Sequence, residues 1–160
     1  MNSMFTSALL TVSPLIFGFA SGLNSRKEID TWYNTLNQPS IKPPNWVFGP
    51  VWSTLYLAMG YASKLVYESN SPLKNYALSV YGIQLLLNLA WTPLFFTHHK
   101  IGAGLVNILA LDAAVVYTIK LFMEIDETSG YLLLPYLAWI SFASLLNFEF
   151  WRLNKTNKKD

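Results

Sequence analysis

Cysteine is absent from the 160-residue sequence, which excludes disulfides and thiolate metal sites and leaves the redox compartment unread. Charge is scarce as well: Asp, Glu, Lys and Arg make up 12%, against about 25% in average soluble domains. So few charges cannot cover the surface of a water-soluble fold, and a lipid environment is expected for most of the chain. The net charge of +2 is small and scattered, which argues against nucleic acid as a partner. The sequence contains no HExxH, GxSxG, Walker or dinucleotide-binding glycine motif. Its two histidines, His98 and His99, are adjacent and therefore point to different faces of any helix, so no metal site is expected. No catalytic residue, metal or cofactor follows from the residues alone.

What the chain does have is apolar and aromatic: 52% hydrophobic residues, with 6 Trp, 9 Tyr and 10 Phe. A membrane-crossing helix needs roughly 20 mostly apolar residues, because the hydrocarbon is about 30 Å thick. Stretches at about 4–23, 46–67, 77–97, 101–123 and 131–151 meet that need. The fold class expected is therefore an all-α integral membrane protein, a single domain built as a five-transmembrane-helix bundle. The first stretch has no Lys or Arg before it and no small-residue cleavage site followed by a soluble domain, so it reads as a retained helix and not a cleaved signal. The connection 24–45 is the one long loop. Its run Pro39-Ser40-Ile41-Lys42-Pro43-Pro44 stiffens the backbone, so an ordered loop folded over one end of the bundle is expected, with Trp32, Tyr33 and Leu36 packing down. Residues 152–160 form a charged, solvated tail.

Positive charge sets orientation in membranes. Arg26, Lys27, Lys42, Lys100, Arg152, Lys155, Lys158 and Lys159 fall at one end, and Lys64, Lys74 and Lys120 at the other. This bias places the long loop and the C-terminus in the cytosol.

Helical spacing gathers several side chains. Tyr81, Gln84, Asn88 and Trp91 share one face of the third helix, and Trp52, Tyr56, Gly60 and Ser63 one face of the second. Trp139, Phe142, Ala143 and Leu146 do the same in the fifth. Amides facing lipid would lose their hydrogen bonds to water, so these faces turn inward. Two readings follow: the lining of an apolar pocket with a few orienting donors, or a solid core with the amides bonded to each other. Gly18 and Gly22 form a GxxxG step, suited to packing within the bundle or to a dimer seam. Lys64, Lys120 and Glu149 lie near helix ends and can snorkel. Asp112 sits near mid-span, where a charge costs about 2.5–3.5 kcal/mol on insertion scales, and is expected to face the interior or be protonated.

The order of motifs then becomes specific. Trp32-Tyr33-x-x-Leu36-x-x-Pro39-Ser40-x-x-Pro43-Pro44-x-Trp46 is followed by Phe48-Gly49-Pro50-Val51-Trp52-x-x-Leu55-Tyr56-x-x-Met59-Gly60. Asn88-x-Ala90-Trp91-x-Pro93-x-Phe95-Phe96, Leu134-Pro135-Tyr136-x-Ala138-Trp139-x-x-Phe142 and Asn147-x-x-x-Trp151-Arg152 continue it. Across nearly the whole chain this pattern resembles the translocator protein family, also called tryptophan-rich sensory proteins or peripheral-type benzodiazepine receptors, and its animal members in particular.

The resemblance implies a five-helix bundle, often a homodimer, with a pocket under the first loop. Family ligands include porphyrins such as protoporphyrin IX, cholesterol, isoquinoline carboxamides and benzodiazepines, and animal members reside in the mitochondrial outer membrane. Carried over by position, the pocket is lined by Tyr33, Trp52, Asn88, Trp91, Trp139, Ala143 and Leu146; of these, spacing alone does not select Tyr33. Together with Tyr56, Gln84 and Phe142 from the spacing argument, these are the expected ligand-binding residues. Lys42 and Arg26 are placed to pair with propionates.

Three departures stand out. Ile41 replaces a tryptophan, the fourth-helix acid is Asn107 with an acid instead at Asp112, and Phe148 replaces the tyrosine of a C-terminal sterol motif otherwise carried by Leu146 and Arg152. The expected function is a receptor or transporter and not an enzyme. Some bacterial relatives degrade porphyrin, with tryptophans matching Trp52 and Trp139 implicated, and that activity is the alternative, as is a GxxxG-mediated scaffold.

Overall fold

The computed structural model describes residues 3–155, apart from the side chains at 3, 4, 24 and 26. The expected roles of Arg26, Lys158 and Lys159 therefore lie outside the described residues. The chain forms α1 (Ser3–Asp30), a 3-10 turn (Tyr33–Thr35), α2 (Asn45–Glu68), α3 (Lys74–Thr92), a π-helical turn (Pro93–Thr97), α4 (Ile101–Ile125) and α5 (Glu127–Asn154). The packed pairs are chiefly α4 on α5, α1 on α2, α3 on α4 and α2 on α5.

Four of these stretches are long and apolar enough to cross a membrane: Phe5–Leu23, Lys74–Thr97, Ile101–Ile125 and Glu127–Asn154. α2 is of similar length, 24 residues, but its many Trp, Tyr, Gly, Pro and Ser residues, which count little toward hydropathy, keep it out of that set. Its hydroxyls are bonded back to the helix, Ser53 to the Gly49 carbonyl at 2.8 Å, Thr54 to Pro50 at 3.0 Å and Ser63 to Gly60 at 2.8 Å. Within α1, Pro14 withdraws a donor from the Leu10 carbonyl, and the Ser13 hydroxyl turns to that carbonyl at 3.5 Å.

Helix ends differ from the expected ones where polarity and helicity part company. The polarity of residues 24–30 predicts loop, yet α1 runs on to Asp30. Nothing in Asn24-Ser25-Arg26-Lys27-Glu28-Ile29-Asp30 breaks a helix, and the buried Ser25 bonds back to the Ser21 carbonyl at 3.2 Å. Likewise α5 begins at Glu127 and not near 131, because Asp126 caps it by accepting from the Ser129 amide at 2.8 Å. A hydropathy boundary marks where the hydrocarbon would end, not where the helix does.

The loop is ordered, as its prolines require. Tyr33 is buried with Phe95, Leu146 and Phe150, and Trp32, Leu36 and Phe48 pack around them. Asn37 donates its amide to Asn154 Oδ1 at 2.9 Å, and Asn154 Nδ2 returns a bond to the Asn37 carbonyl at 3.1 Å. Trp32 stacks on His99 with centroids 4.1 Å apart, and His99 Nε2 lies 2.9 Å from Glu28 Oε2. His99, just past the His98 cap of the π-helical turn, has φ 54, the one non-glycine with positive φ among the described residues.

α1 and α2 approach closely at Gly60, where an added Cβ would meet the Thr11 backbone carbonyl. Gly60→Ala should therefore lower stability by about 1–3 kcal/mol. Gly82→Ala, where nothing lies within 4 Å of the added atom, should be neutral or stabilising. Unfolding of both variants in detergent checks the contrast.

Candidate ligand-binding cavity

A cavity of about 430 Å³ lies between the helices beneath the loop. Its walls are mainly aromatic and aliphatic: Trp52 and Phe48 from α2, Trp91 and Phe95 from α3 and the π-helical turn, Ile108 and Leu111 from α4, and Trp139, Ala143 and Leu146 from α5. Tyr33 closes it from the loop, and the helical stretch around Gly18, Gly22 and Ile29 of α1 forms the remaining side.

The indoles are held by their neighbours. Trp52 stacks on Tyr56 at 5.3 Å and meets Tyr136 edge-on at 6.2 Å. Trp91 stacks on Phe95 at 5.0 Å, and its Nε1 donates to Asn147 Oδ1 at 2.9 Å. Asn147 in turn donates to the Ile101 carbonyl at 3.0 Å. Gly104 leaves room for this pair, since a Cβ there would sit 3.2 Å from Asn147 Oδ1. Trp139 meets Phe48 edge-on at 5.8 Å. Its Nε1 is buried and has no acceptor among the described residues.

Behind the wall runs a chain of polar side chains. The Tyr56 hydroxyl donates to Asn88 Oδ1 at 2.9 Å, Asn88 Nδ2 donates to the Tyr136 hydroxyl at 3.0 Å, and that hydroxyl donates to Gln84 Oε1 at 3.0 Å. All four residues are buried. The relay joins α2, α3 and α5, and its first two members border the cavity.

Of the residues expected to face a ligand, Tyr33, Trp52, Tyr56, Asn88, Trp91, Trp139, Ala143 and Leu146 border the cavity. Gln84 and Phe142 do not. Gln84 lies one turn deeper than Asn88, and its amide oxygen is taken by Tyr136. Phe142 falls beside the line of α5 positions 139, 143, 146 and 150, and packs against Trp139 from the flank at 5.7 Å.

Several expected features resolve in other ways. Gly18 is covered by the Tyr56 ring within the chain, while Gly22 borders the cavity with open space around it. Leu146 lines the cavity, whereas Phe148 is 39% exposed and Arg152 pairs with Glu149 at 2.6 Å. The three residues of the degenerate sterol motif thus do not share one surface. Asp112 is half-buried at the α4–α5 seam, accepting from Ser144 at 2.6 Å and Ser141 at 3.1 Å. Outside the apolar spans, burial pushes the Tyr33 phenol up from its ordinary range, so it stays neutral. Lys42 Nζ sits 5.3 Å from its ring centroid.

Phe48, Phe95, Asn147 and Phe150 were not singled out as lining residues. Phe95 and Asn147 stand within the motifs quoted above, and helical spacing places Phe150 on the line of Leu146; Phe48 lies one turn before Trp52.

Residues 10–152 match the model of the TspO/MBR family. The chain belongs to the TspO/MBR family. Among its relatives, it is 40% identical to the translocator protein of Homo sapiens over 147 residues, covering 90% of this chain and 87% of that one. It is also 40% identical to the tryptophan-rich protein TspO of Archaeoglobus fulgidus over 140 residues, covering 88% and 91%. The tryptophan-rich protein TspO of Chlorobaculum tepidum is 39% identical over 157 residues, covering 96% and 98%. Overall identity does not separate the animal from the prokaryotic proteins named. Family membership and the apolar helices make this TspO/MBR chain a multi-pass membrane protein.

Tyr136→Phe would leave Asn88 Nδ2 and Gln84 Oε1 without their shared partner. It should cost about 1–3 kcal/mol of stability with helicity retained, as read by denaturant unfolding alongside far-UV circular dichroism.

Proposed function

We propose that this chain is a membrane receptor or carrier that holds a flat, largely apolar ligand in the cavity beneath its loop. Porphyrins of the protoporphyrin IX type are the ligands it suits best. Sterols such as cholesterol and benzodiazepine-like or isoquinoline carboxamide molecules are the other members of the class. The observation that carries this reading is the convergence of Trp52, Trp91 and Trp139 on one cavity. Indole faces stack on extended π systems. The cavity volume of about 430 Å³ falls within the roughly 300–1,000 Å³ usual for ligand sites. The free Trp139 N–H supplies a donor for a ligand carbonyl or carboxyl group, and Lys42 at the loop supplies a cation for a propionate. Such an exposed pair adds about 0–1 kcal/mol.

In this reading all five long helices cross the bilayer. α2 spans about 36 Å at 1.5 Å per residue, and its hydroxyls are bonded internally. The positive end faces the cytosol, and the membrane is the mitochondrial outer membrane in a eukaryote or a bacterial membrane otherwise. Any homodimer uses a surface other than Gly18, which Tyr56 covers.

Porphyrin degradation is the second reading, favoured by one observation: Trp52 and Trp139 both border the cavity. No carboxylate, imidazole or ammonium is among the described lining residues, which favours binding over acid–base chemistry.

Titration of the purified protein with protoporphyrin IX, followed by tryptophan quenching in the dark and under illumination, tests both. Saturable quenching with an unchanged porphyrin spectrum is expected, and Trp139→Ala should weaken it at least tenfold, about 1.4 kcal/mol. Loss of the porphyrin bands dependent on Trp52 and Trp139 would favour degradation. Absence of saturable quenching would overturn the porphyrin reading.

A further inference from the structure

The two sides of the cavity are built differently. Toward the loop it is sealed. Tyr33, Phe95, Leu146 and Phe150 are buried together there, with Trp32, Leu36 and Phe48 packed on them. The seal is fastened to the helix ends by the Asn37–Asn154 hydrogen bonds and by the stack of Trp32 on His99, itself bonded to Glu28.

Between α1 and α2 the wall is open. Phe19 and Leu23 border the cavity, yet they are 56% and 58% exposed. A side chain belongs to a cavity wall and to the outer surface at once only at a mouth. Gly22 and Gly49 border the same gap, and at each an added Cβ would find nothing within 4 Å. Neither glycine is there to let backbones touch, since their surroundings are empty. Phe19, Gly22 and Leu23 lie in the apolar span Phe5–Leu23, so the mouth meets hydrocarbon and not water. Trp46, 75% exposed and just one turn before Gly49, is the kind of residue that sits at headgroup level.

We infer that hydrophobic ligands reach the cavity sideways from the bilayer, through the gap between α1 and α2 bounded by Phe19, Gly22, Leu23, Gly49 and Ser53. This inference rests on the ligand-binding reading above and adds a route to it. The route suits an amphiphile with a planar apolar body and one polar edge. Such a molecule dissolves in the leaflet with its polar edge at the headgroups, which brings the apolar body to the depth of Phe19 and Gly22. It then passes from lipid to cavity without its apolar surface crossing water, and the loop need not open.

The test uses the full chain in lipid nanodiscs, with protoporphyrin IX supplied from vesicles and binding followed by stopped-flow tryptophan quenching. The double variant Gly22→Leu/Gly49→Leu places bulk in the gap at positions where the backbone surroundings leave space. Association and dissociation should both slow at least tenfold, because an obstructed passage raises the barrier in both directions. A second variant, Gly22→Cys, introduces the sole thiol of the chain, and a bulky lipid-soluble maleimide added after folding should produce the same slowing. The loop variant Asn37→Ala/His99→Ala loosens the seal on the other side and should leave both rates as they are. Unchanged rates in the blocked and labelled proteins, or faster exchange in the loop variant, would overturn the lateral route. Faster dissociation alone in the blocked proteins would also overturn it, since that marks a wall contact and not a passage. Failure of the unmodified chain to quench saturably would remove the ligand reading itself, and the route with it.

Discussion

In a bilayer every polar atom away from the headgroups must find its partner within the protein, because hydrocarbon offers none. The relay from Tyr56 through Asn88 and Tyr136 to Gln84 meets that demand with three bonds across helices, and leaves only the Gln84 amide nitrogen at its end without a partner among the described residues. Each member lies on a helix that could otherwise rotate freely against apolar neighbours, since helix packing in lipid lacks a strong hydrophobic drive. The hydrogen bonds fix the facing of α2, α3 and α5 together. With those faces set, Trp52, Trp91 and Trp139 are brought around one space. The cavity is thus a by-product of polar satisfaction one layer deeper.

That layering explains why the lining was more legible in the sequence than the interior behind it. Helical spacing places Tyr81, Gln84, Asn88 and Trp91 on one inward face, but it cannot rank them by depth. Asn88 reaches the cavity and Gln84, one turn earlier in α3, does not; its amide oxygen is bonded instead by Tyr136 from another helix. Phe142 shows the same limit in angle. It is a helical neighbour of Trp139, yet the α5 positions that border the cavity, 139, 140, 143, 146, 147 and 150, lie round to the other side of that residue. Spacing groups residues on a face, but which edge of that face meets the cavity is set by the neighbouring helices.

The helix ends were less legible for a different reason. Hydropathy reports the solvent around a residue, and the backbone conformation is a separate matter. α1 continues through Lys27 and Glu28 beyond its apolar span, and that extension carries Glu28 to His99. The contact that helps hold the loop depends on seven residues whose polarity had assigned them to the loop itself. The asparagine pair between residues 37 and 154 joins positions 117 apart in the chain, and no local signal announces it. Asp112 is a further case. Its mid-span charge demanded an explanation, and the two serine hydroxyls that bond it come from α5, unremarkable in sequence until packed against it.

A tight bundle and an accessible cavity make opposing demands on α1. Where α1 must pack, it does so closely: Gly18 lies under the Tyr56 ring, and the Thr11 carbonyl rests on Gly60. One turn beyond Gly18 the contact ends, and Gly22 faces empty space. The same residue type therefore serves both demands on one helix, close approach at Gly18 and absence of bulk at Gly22. A larger residue at Gly18 would push α1 off the relay that orders the bundle, since Tyr56 is the first member of that relay. A larger residue at Gly22 would displace nothing and would only fill the gap. The GxxxG step thus sets a packed contact at Gly18 beside an open one at Gly22, and the cavity takes its lateral opening from that change.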